Sequence, residues 1–265
     1  MTAVLYDAMG PRARRRVHLG TAVGAVLAAG LLAVVLTRLS SHGQLSADRW
    51  SILFNADLRD LLLEGLLATA RVAGVSLILS LGFGMLLACG RLAPQRWLRA
   101  PLRVWVEVFR GLPLLLLIFF IFLGAPALGM DVSTFWALTL GITLYQSAVM
   151  SEIIRAGILS LPRGQSEAAA AIGLGGAATM RIIVLPQAVR LMLPALISQM
   201  VVLLKETSLG FIIGYTELLR NGRIAVEYLG GAYAIPVYTG IALVYLVVNL
   251  LLSALARTVD RRTRR

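Results

Sequence analysis

Six runs of apolar residues, each reaching the roughly 20 residues needed to cross a hydrocarbon layer about 30 Å thick, limit what this chain can fold into. They cover residues 17–37, 58–90, 104–123, 135–159, 187–213 and 236–256. A barrel strand would be about half as long and would alternate in polarity. The runs therefore predict helices, which satisfy their own backbone hydrogen bonds in lipid. The expected fold class is all-α, a polytopic membrane bundle of six transmembrane helices. With 58% apolar and 14% charged residues and a mean hydropathy of +0.83, an ordinary soluble domain is excluded.

The first run follows Arg12, Arg14, Arg15 and Arg16, which resemble the head of a signal peptide. Its apolar core is too long for that and no clear A-x-A cleavage site follows, so an uncleaved first span is expected. The net charge of +12 does not point to nucleic acid, because the arginines sit at the ends of apolar runs and are not interleaved with aromatics along one face. They report orientation instead, since Lys and Arg accumulate in cytoplasmic segments. With the N-terminus inside, the inner segments hold fifteen arginines, including Arg91, Arg96, Arg99 and Arg103, against five outside. Those five are Arg38, Arg49, Arg59, Arg220 and Arg223. Both termini are expected in the cytoplasm of a multi-pass protein of the cell (inner) membrane, with lipid around it. The single cysteine, Cys89, lies in a span, allows no intrachain disulfide and leaves the redox compartment open.

Between the fourth and fifth runs stands QSEAAAAIGLGGAATMRIIVLP, residues 165–186. Pro162 and Gly164 are expected to end the fourth span, and Ser166 to cap a short new helix. Glu167 falls in its first turn, where the helix dipole favours negative charge, alanines sustain it, and Gly173 stops it. About seven residues make a rod some 10 Å long, which buries little against its own chain. Two readings stand on pattern alone: an ordinary surface connection, or a rod that inserts into a groove on another protein. Small side chains would permit close approach, and Glu167 is its one charged handle.

The order GQSEAAAAIGL followed by LPQAVR resembles the EAA loop of permease subunits of binding-protein-dependent ABC importers, in the polar amino acid branch. Further similar segments fall in order along the chain: GLLATARVAG and ILSLGFGMLLACGRL, then EVFRGLPLLL, SEIIRAGILSLPRGQ and LKETSLGFIIGYTELLR. The segment ISQMVVLLKETSLGFIIGYTELL is most similar to glutamate-type members. The resemblance implies a type I importer core of five helices over residues 58–258 with the loop at 163–186. Residues 1–57 would form a cytoplasmic N-terminus, an extra first helix and an outer loop, and 259–265 a basic cytoplasmic tail.

It further implies that the rod is a coupling helix, docking on a separate ABC ATP-binding subunit through Gln165, Glu167, Ala168, Ala169 and Gly173. ATP and Mg would be held by that partner, and no cofactor by this chain. A solute-binding protein, extracellular or periplasmic, would deliver a polar amino acid, with glutamate favoured. A second permease chain, identical or paralogous, would complete the path. The residues agree about the missing motor: a P-loop needs G-x-x-x-x-G-K-[ST], and the only lysine, Lys205, sits in LLKET within a span.

Ionisable residues at membrane depth are costly, so each is a candidate for function. Glu107 with Arg110, and Glu152 with Arg155, are spaced i, i+3 near the inner ends of their runs, which favours structural ion pairs over substrate contact. Glu64 and Arg71 share a face of the second run. In the fifth, Gln199 and Glu206 share one face, and Ser198 and Lys205 the adjoining one. An amino acid zwitterion needs a cation for its carboxylate and an acceptor for its ammonium. Arg71, Gln199, Lys205, Glu206, Thr207 and Ser208 are therefore candidates for a substrate path or gate, with snorkelling as the alternative for Lys205. In similar permeases the K-x-T-S-L segment lies at the central pathway; Glu206 stands where many members carry aspartate.

Gly210, Gly214, Thr216 and Glu217 suggest a broken helix and an outer loop. Gly111 and Pro113 interrupt the third run, and Gly82, Gly84 and Gly90 thin the second, features best read as packing devices, with a hinge as the alternative. The alternative function is a gradient-driven secondary amino acid carrier. Such carriers often show internal repeats and more intramembrane acid or histidine, whereas no convincing repeat is found and His18 and His42 are peripheral. No H-E-x-x-H or G-x-S-x-G supports an intramembrane enzyme, so the chain is expected not to be one.

Overall fold

The computed structural model describes residues 10–263; residues 1–9, and Arg264 and Arg265 of the expected basic tail, lie outside them. The elements are α1 (Pro11–Ser41), α2 (Ala47–Trp50), α3 (Ala56–Leu92), α4 (Arg96–Gly111) and α5 (Leu114–Ala127). There follow α6 (Thr134–Leu159), α7 (Gly164–Ala171), α8 (Gly176–Thr179), α9 (Leu185–Glu206), α10 (Leu218–Leu229) and α11 (Ala234–Thr263). No strand occurs among the described residues. Five helical stretches are long and apolar enough to cross a membrane, and α4 with α5 would make a sixth.

That sixth span is not straight: α4 and α5 are bent by 98°, so the interruption expected at Gly111 and Pro113 is a sharp turn of the chain and more than a packing device. Pro113 disfavours helical backbone at the residue before it, and Leu112 is accordingly extended, with ψ of 140°. The break leaves α5 with fourteen residues, a rod of about 21 Å. On α4, Trp97, Val104, Trp105 and Val108 are exposed, while Arg99, Arg103 and Arg110 recur on the other side. Such two-sided helices belong at a membrane interface.

Helix α6 is the centre of the bundle, with 67% of its apolar window buried. Against it α3 lays a stripe of small residues, including Ser76, Ser80, Gly84 and Ala88. Lipid tails are as apolar as leucine, so close backbone approach carries helix association. A Cβ at Gly84 would lie 3.1 Å from both Met150 Cβ and the Ser147 carbonyl oxygen, so glycine sets that approach. Val72, Ile118, Leu138, Ile142, Met150 and Leu203 fill the core between α3, α5, α6 and α9.

A π-helical stretch, Met180–Val184, leads into α9. Beyond α9 a 3-10 turn, Thr207–Ile213, ends at Gly214 with φ of 80°, the break that the glycines predict. Glu217 then caps α10, which packs on α3 and α11 through Leu218, Ala225, Val237 and Ile241. Helix α1 buries none of its residues; a helix apolar over most of its surface is suited to lipid.

Candidate coupling helix and polar pathway

Helix α7 begins at Gly164 with Arg163 in the cap position and no side-chain cap bond. Ser166, expected to cap it, lies inside the first turn, because α6 already ends at Leu159 and Gly164, expected to help end that span, is the first residue of α7. The far end matches expectation. Gly173 has φ of 84°, and a Schellman turn closes the helix with Leu174 N bonded to Ala169 O and Gly173 N to Ala170 O, both at 3.0 Å.

Of the five coupling candidates, Ala169 is buried, with 1% exposure, on the side of α7 turned to its own chain. The Gln165 side-chain oxygen accepts a bond from Gln187 Nε2 at 3.2 Å, which ties α7 to the start of α9. Glu167, Ala168 and Gly173 remain exposed. Beside them Ile172 is 76% exposed; sequence reasoning passed over this residue, although a large aliphatic at the end of an alanine run was a visible signal.

The four ion-pair candidates behave differently. Glu152 on α6 accepts from Arg155 at 2.5 Å and from Arg91 of α3 at 2.6 Å. Arg91 has only 8% of its side chain exposed, yet its sequence position, 61 residues from Glu152, gives no local hint of the pairing. Glu107 and Arg110 form no ion pair among the described residues. Both are exposed, where water competes with such contacts, and both line a cavity of about 270 Å³ with Arg91, Arg99, Arg103 and Arg155.

The path candidates fall into separate groups. Gln146 of α6, fully buried, donates through Nε2 to Glu206 at 2.5 Å and accepts from Gln199 Nε2 at 2.8 Å. Gln199, Gln146 and Glu206 thus form one relay of polar atoms between α6 and α9. Gln146 is the member that sequence reasoning missed; an amide inside LYQSAV was its signal. The Thr207 and Ser208 hydroxyls donate to Leu204 O and Lys205 O, each at 2.7 Å, so both are occupied within their own helical turn.

Lys205 is exposed and lines a cavity of about 510 Å³ with Ser208, Tyr245 and Asn249. Arg71 lines another of about 390 Å³, with Glu64, Thr216 and Asn221. Arg71 and Glu64 form no ion pair among the described residues, so a cation and a carboxylate face one space. The structure does not bring Arg71, Lys205 and Glu206 to a single point.

Beyond α9, Glu217 is fully buried and accepts from Leu219 N, Arg220 N and Tyr245 OH at 2.9, 2.8 and 3.2 Å. Burial pushes its carboxyl above the ordinary value, against the opposing pull of those bonds. Among the described residues no cluster of three or more His, Cys, Asp or Glu could hold a metal ion.

A family profile described as "Binding-protein-dependent transport system inner membrane component" matches residues 80–265. The Glutamate transport system permease protein GluD of Corynebacterium glutamicum is 40% identical over 234 residues, covering 85% of this chain and 84% of that protein. The Probable glutamine ABC transporter permease protein GlnP of Bacillus subtilis is 41% identical, over 75% of this chain and 92% of that one. A crystal structure of an amino acid ABC transporter with histidines matches with a TM-score of 0.72 and 31% identity, over 77% of this chain and 94% of its own. The inward-facing MetNI methionine ABC transporter, at 19% identity and a TM-score of 0.67 over 80% of this chain and all of its own, shares the fold. The short rod between α6 and α9, the broken third span and the small-residue packing on α6 therefore belong to a multi-pass permease, and the chain is a member of the family of binding-protein-dependent transport system inner membrane components.

Proposed function

We propose that this chain forms the transmembrane path of an ABC importer for a polar amino acid and is driven by a separate ATP-binding subunit seated on α7. The observation that carries the reading is α7 itself: a short helix, closed by a Schellman turn, that keeps Glu167, Ala168 and Ile172 exposed. ATP and Mg belong to the motor subunit. A solute-binding protein meets the opposite face, and a second permease chain completes the path. The end carrying α7 and the arginines from Arg91 to Arg103 lies in the cytoplasm, which puts both termini there as well. Residues 58–258 form the importer domain, 1–57 the added first helix with its flanks, and 259–265 the tail.

Glutamate and glutamine, named for the relatives GluD and GlnP, support a substrate with an α-amino acid head and a polar side chain. Arg71 and Glu64, which form no ion pair among the described residues, suit the two ends of that head, and the Gln199–Gln146–Glu206 relay offers neutral and acidic partners.

The test is reconstitution of the chain with its ATPase and binding protein in proteoliposomes, with labelled glutamate and glutamine as probes. Uptake is expected to require ATP and all components. Glu167→Lys reverses the one charge on α7. Gly173→Val forces a β-branched residue into a left-handed turn at a cost of about 1–3 kcal/mol. Both variants are expected to insert normally and to hydrolyse ATP without matching uptake. Unaltered uptake in both would remove the role of α7, and gradient-driven uptake by the chain alone would replace the importer with a carrier.

A further inference from the structure

One cavity is unexplained by either the path or the coupling helix. It lies between the end of α3, α4 and the α7-proximal end of α6, and five arginines line it against two glutamates. Glu152 is already engaged by Arg91 and Arg155. Arg99, Arg103 and Arg110 therefore share the space with only Glu107, and none of the three forms an ion pair among the described residues. Like charges gathered in one recess disfavour one another until an anion joins them. Glu152 cannot act for Arg99, Arg103 and Arg110 without releasing the nearly buried Arg91, a costly exchange.

The setting identifies the anion. Arg99, Arg103 and Arg110 recur at helical spacing along one side of α4. The other side exposes Trp97, Val104, Trp105 and Val108, and the 98° bend turns α4 away from the direction of α5. If α5 follows the membrane normal, α4 runs along the membrane surface, the level at which tryptophan is enriched. Guanidinium forks match phosphate oxygens in shape and charge, and basic pockets between membrane helices on the cytoplasmic side take acidic headgroups. The exposed aliphatic and indole surface faces away from the cavity, where it suits the acyl chains of the surrounding leaflet.

We propose that this cavity binds the phosphate of an anionic phospholipid, drawn from the leaflet on the α7 side. The inference rests on the orientation proposed above only for which leaflet supplies the lipid. Amino acid transport plays no part in it, so the two can fail separately. A bound headgroup bridges α4 to α6 beside the Arg91–Glu152 pair and relieves the excess of guanidinium charge.

The experiment uses the full-length chain purified in detergent and native mass spectrometry of retained lipid. The probes are dioleoylphosphatidylglycerol, dioleoylphosphatidylcholine and inorganic phosphate. Phosphatidylglycerol is expected to be retained over phosphatidylcholine, with Arg99→Gln and Arg103→Gln each lowering its retention about five-fold. Arg103→Lys, which keeps the charge, is expected to restore most of the loss, and Arg14→Gln on α1 to change nothing. Equal retention of the two lipids, or retention insensitive to Arg99→Gln and Arg103→Gln, would overturn the proposal. Complete displacement of phosphatidylglycerol by millimolar inorganic phosphate would also overturn it, by assigning the site to a soluble anion. Circular dichroism of each variant separates lost lipid from lost fold.

Discussion

Replacing Gly65 with alanine is expected to lift α10 off α3. The added Cβ would lie 2.8 Å from Leu218 Cα and 3.1 Å from the Leu218 nitrogen, backbone atoms that cannot rotate away, so the start of α10 has to move. Two hydrogen bonds cross this contact: Leu218 N donates to Thr69 Oγ1 at 3.2 Å, and Asn221 Nδ2 to Leu61 O at 2.9 Å. Overpacking costs about 1–3 kcal/mol and each lost bond about 1 kcal/mol, while the better helix propensity of alanine returns about 1 kcal/mol. The net of about 3 kcal/mol corresponds to a factor of roughly 100 in the opening equilibrium. Hydrogen–deuterium exchange of the α10 amides in detergent reads that opening directly. Gly222→Ala is the control, since its Cβ meets Ile241 Cδ1, the tip of a side chain. A rotamer adjustment there costs about 0.5–1.5 kcal/mol, which the propensity gain of about 1 kcal/mol nearly cancels. Unchanged exchange in Gly65→Ala, or equally fast exchange in Gly222→Ala, would refute the distinction between backbone and side-chain obstruction.

A double-mutant cycle on thermal stability is expected to give Arg91 with Glu152 a coupling of about 3 kcal/mol, against about 1 kcal/mol for Arg155 with Glu152. The Arg91 side chain is 8% exposed and that of Arg155 30%, so equal couplings would remove burial as the deciding variable. Glu217 sets a pH dependence of definite sign. A carboxyl raised above its ordinary value of 4.5 binds its proton more tightly when folded, so its contribution is fully present below that value and is lost as pH rises through the raised one. Melting temperature is expected to fall across that window relative to Glu217→Gln; a relative rise would show the shift to have the opposite sign.

The parts of this molecule that depend on near neighbours were legible in its sequence. Gly173 and Gly214 announce left-handed turns whatever the tertiary structure around them, and both are found, with φ of 84° and 80°. Run length located the five long apolar helices, but hydropathy carries no direction, so the third run gave an interruption at Gly111 and Pro113 without the angle of the bend there. Gln146 lies 60 residues from Glu206 and 53 from Gln199, and no helical period connects them. Lys205 and Glu206 are consecutive in α9, and successive side chains on a helix diverge by about 100°. One therefore turns to α6, while the other lines the cavity beside α11.

Apolar contact between helices gains little in a bilayer, so the polar and small-residue contacts decide which helices remain together. Helix α6 holds α3 through both the small-residue stripe and the Arg91–Glu152 pair, a combination that makes these two a fixed frame. It holds α9 through the amide relay at Gln146, whose fully buried atoms are left unpaired wherever α9 draws away. Helix α7 meets the base of α9 through Gln165 and Gln187. A load applied at Glu167 and Ile172 would therefore reach α9 at its base and travel along its 22 residues, about 33 Å at helical rise, before arriving at Glu206. The base is also where the π-helical stretch and Pro186 interrupt regular hydrogen bonding, and such interruptions are where helices bend. The same interruption that makes α9 deformable lies beside the contact through which it would be driven, while the frame on the other side of α6 is held by a nearly buried charge.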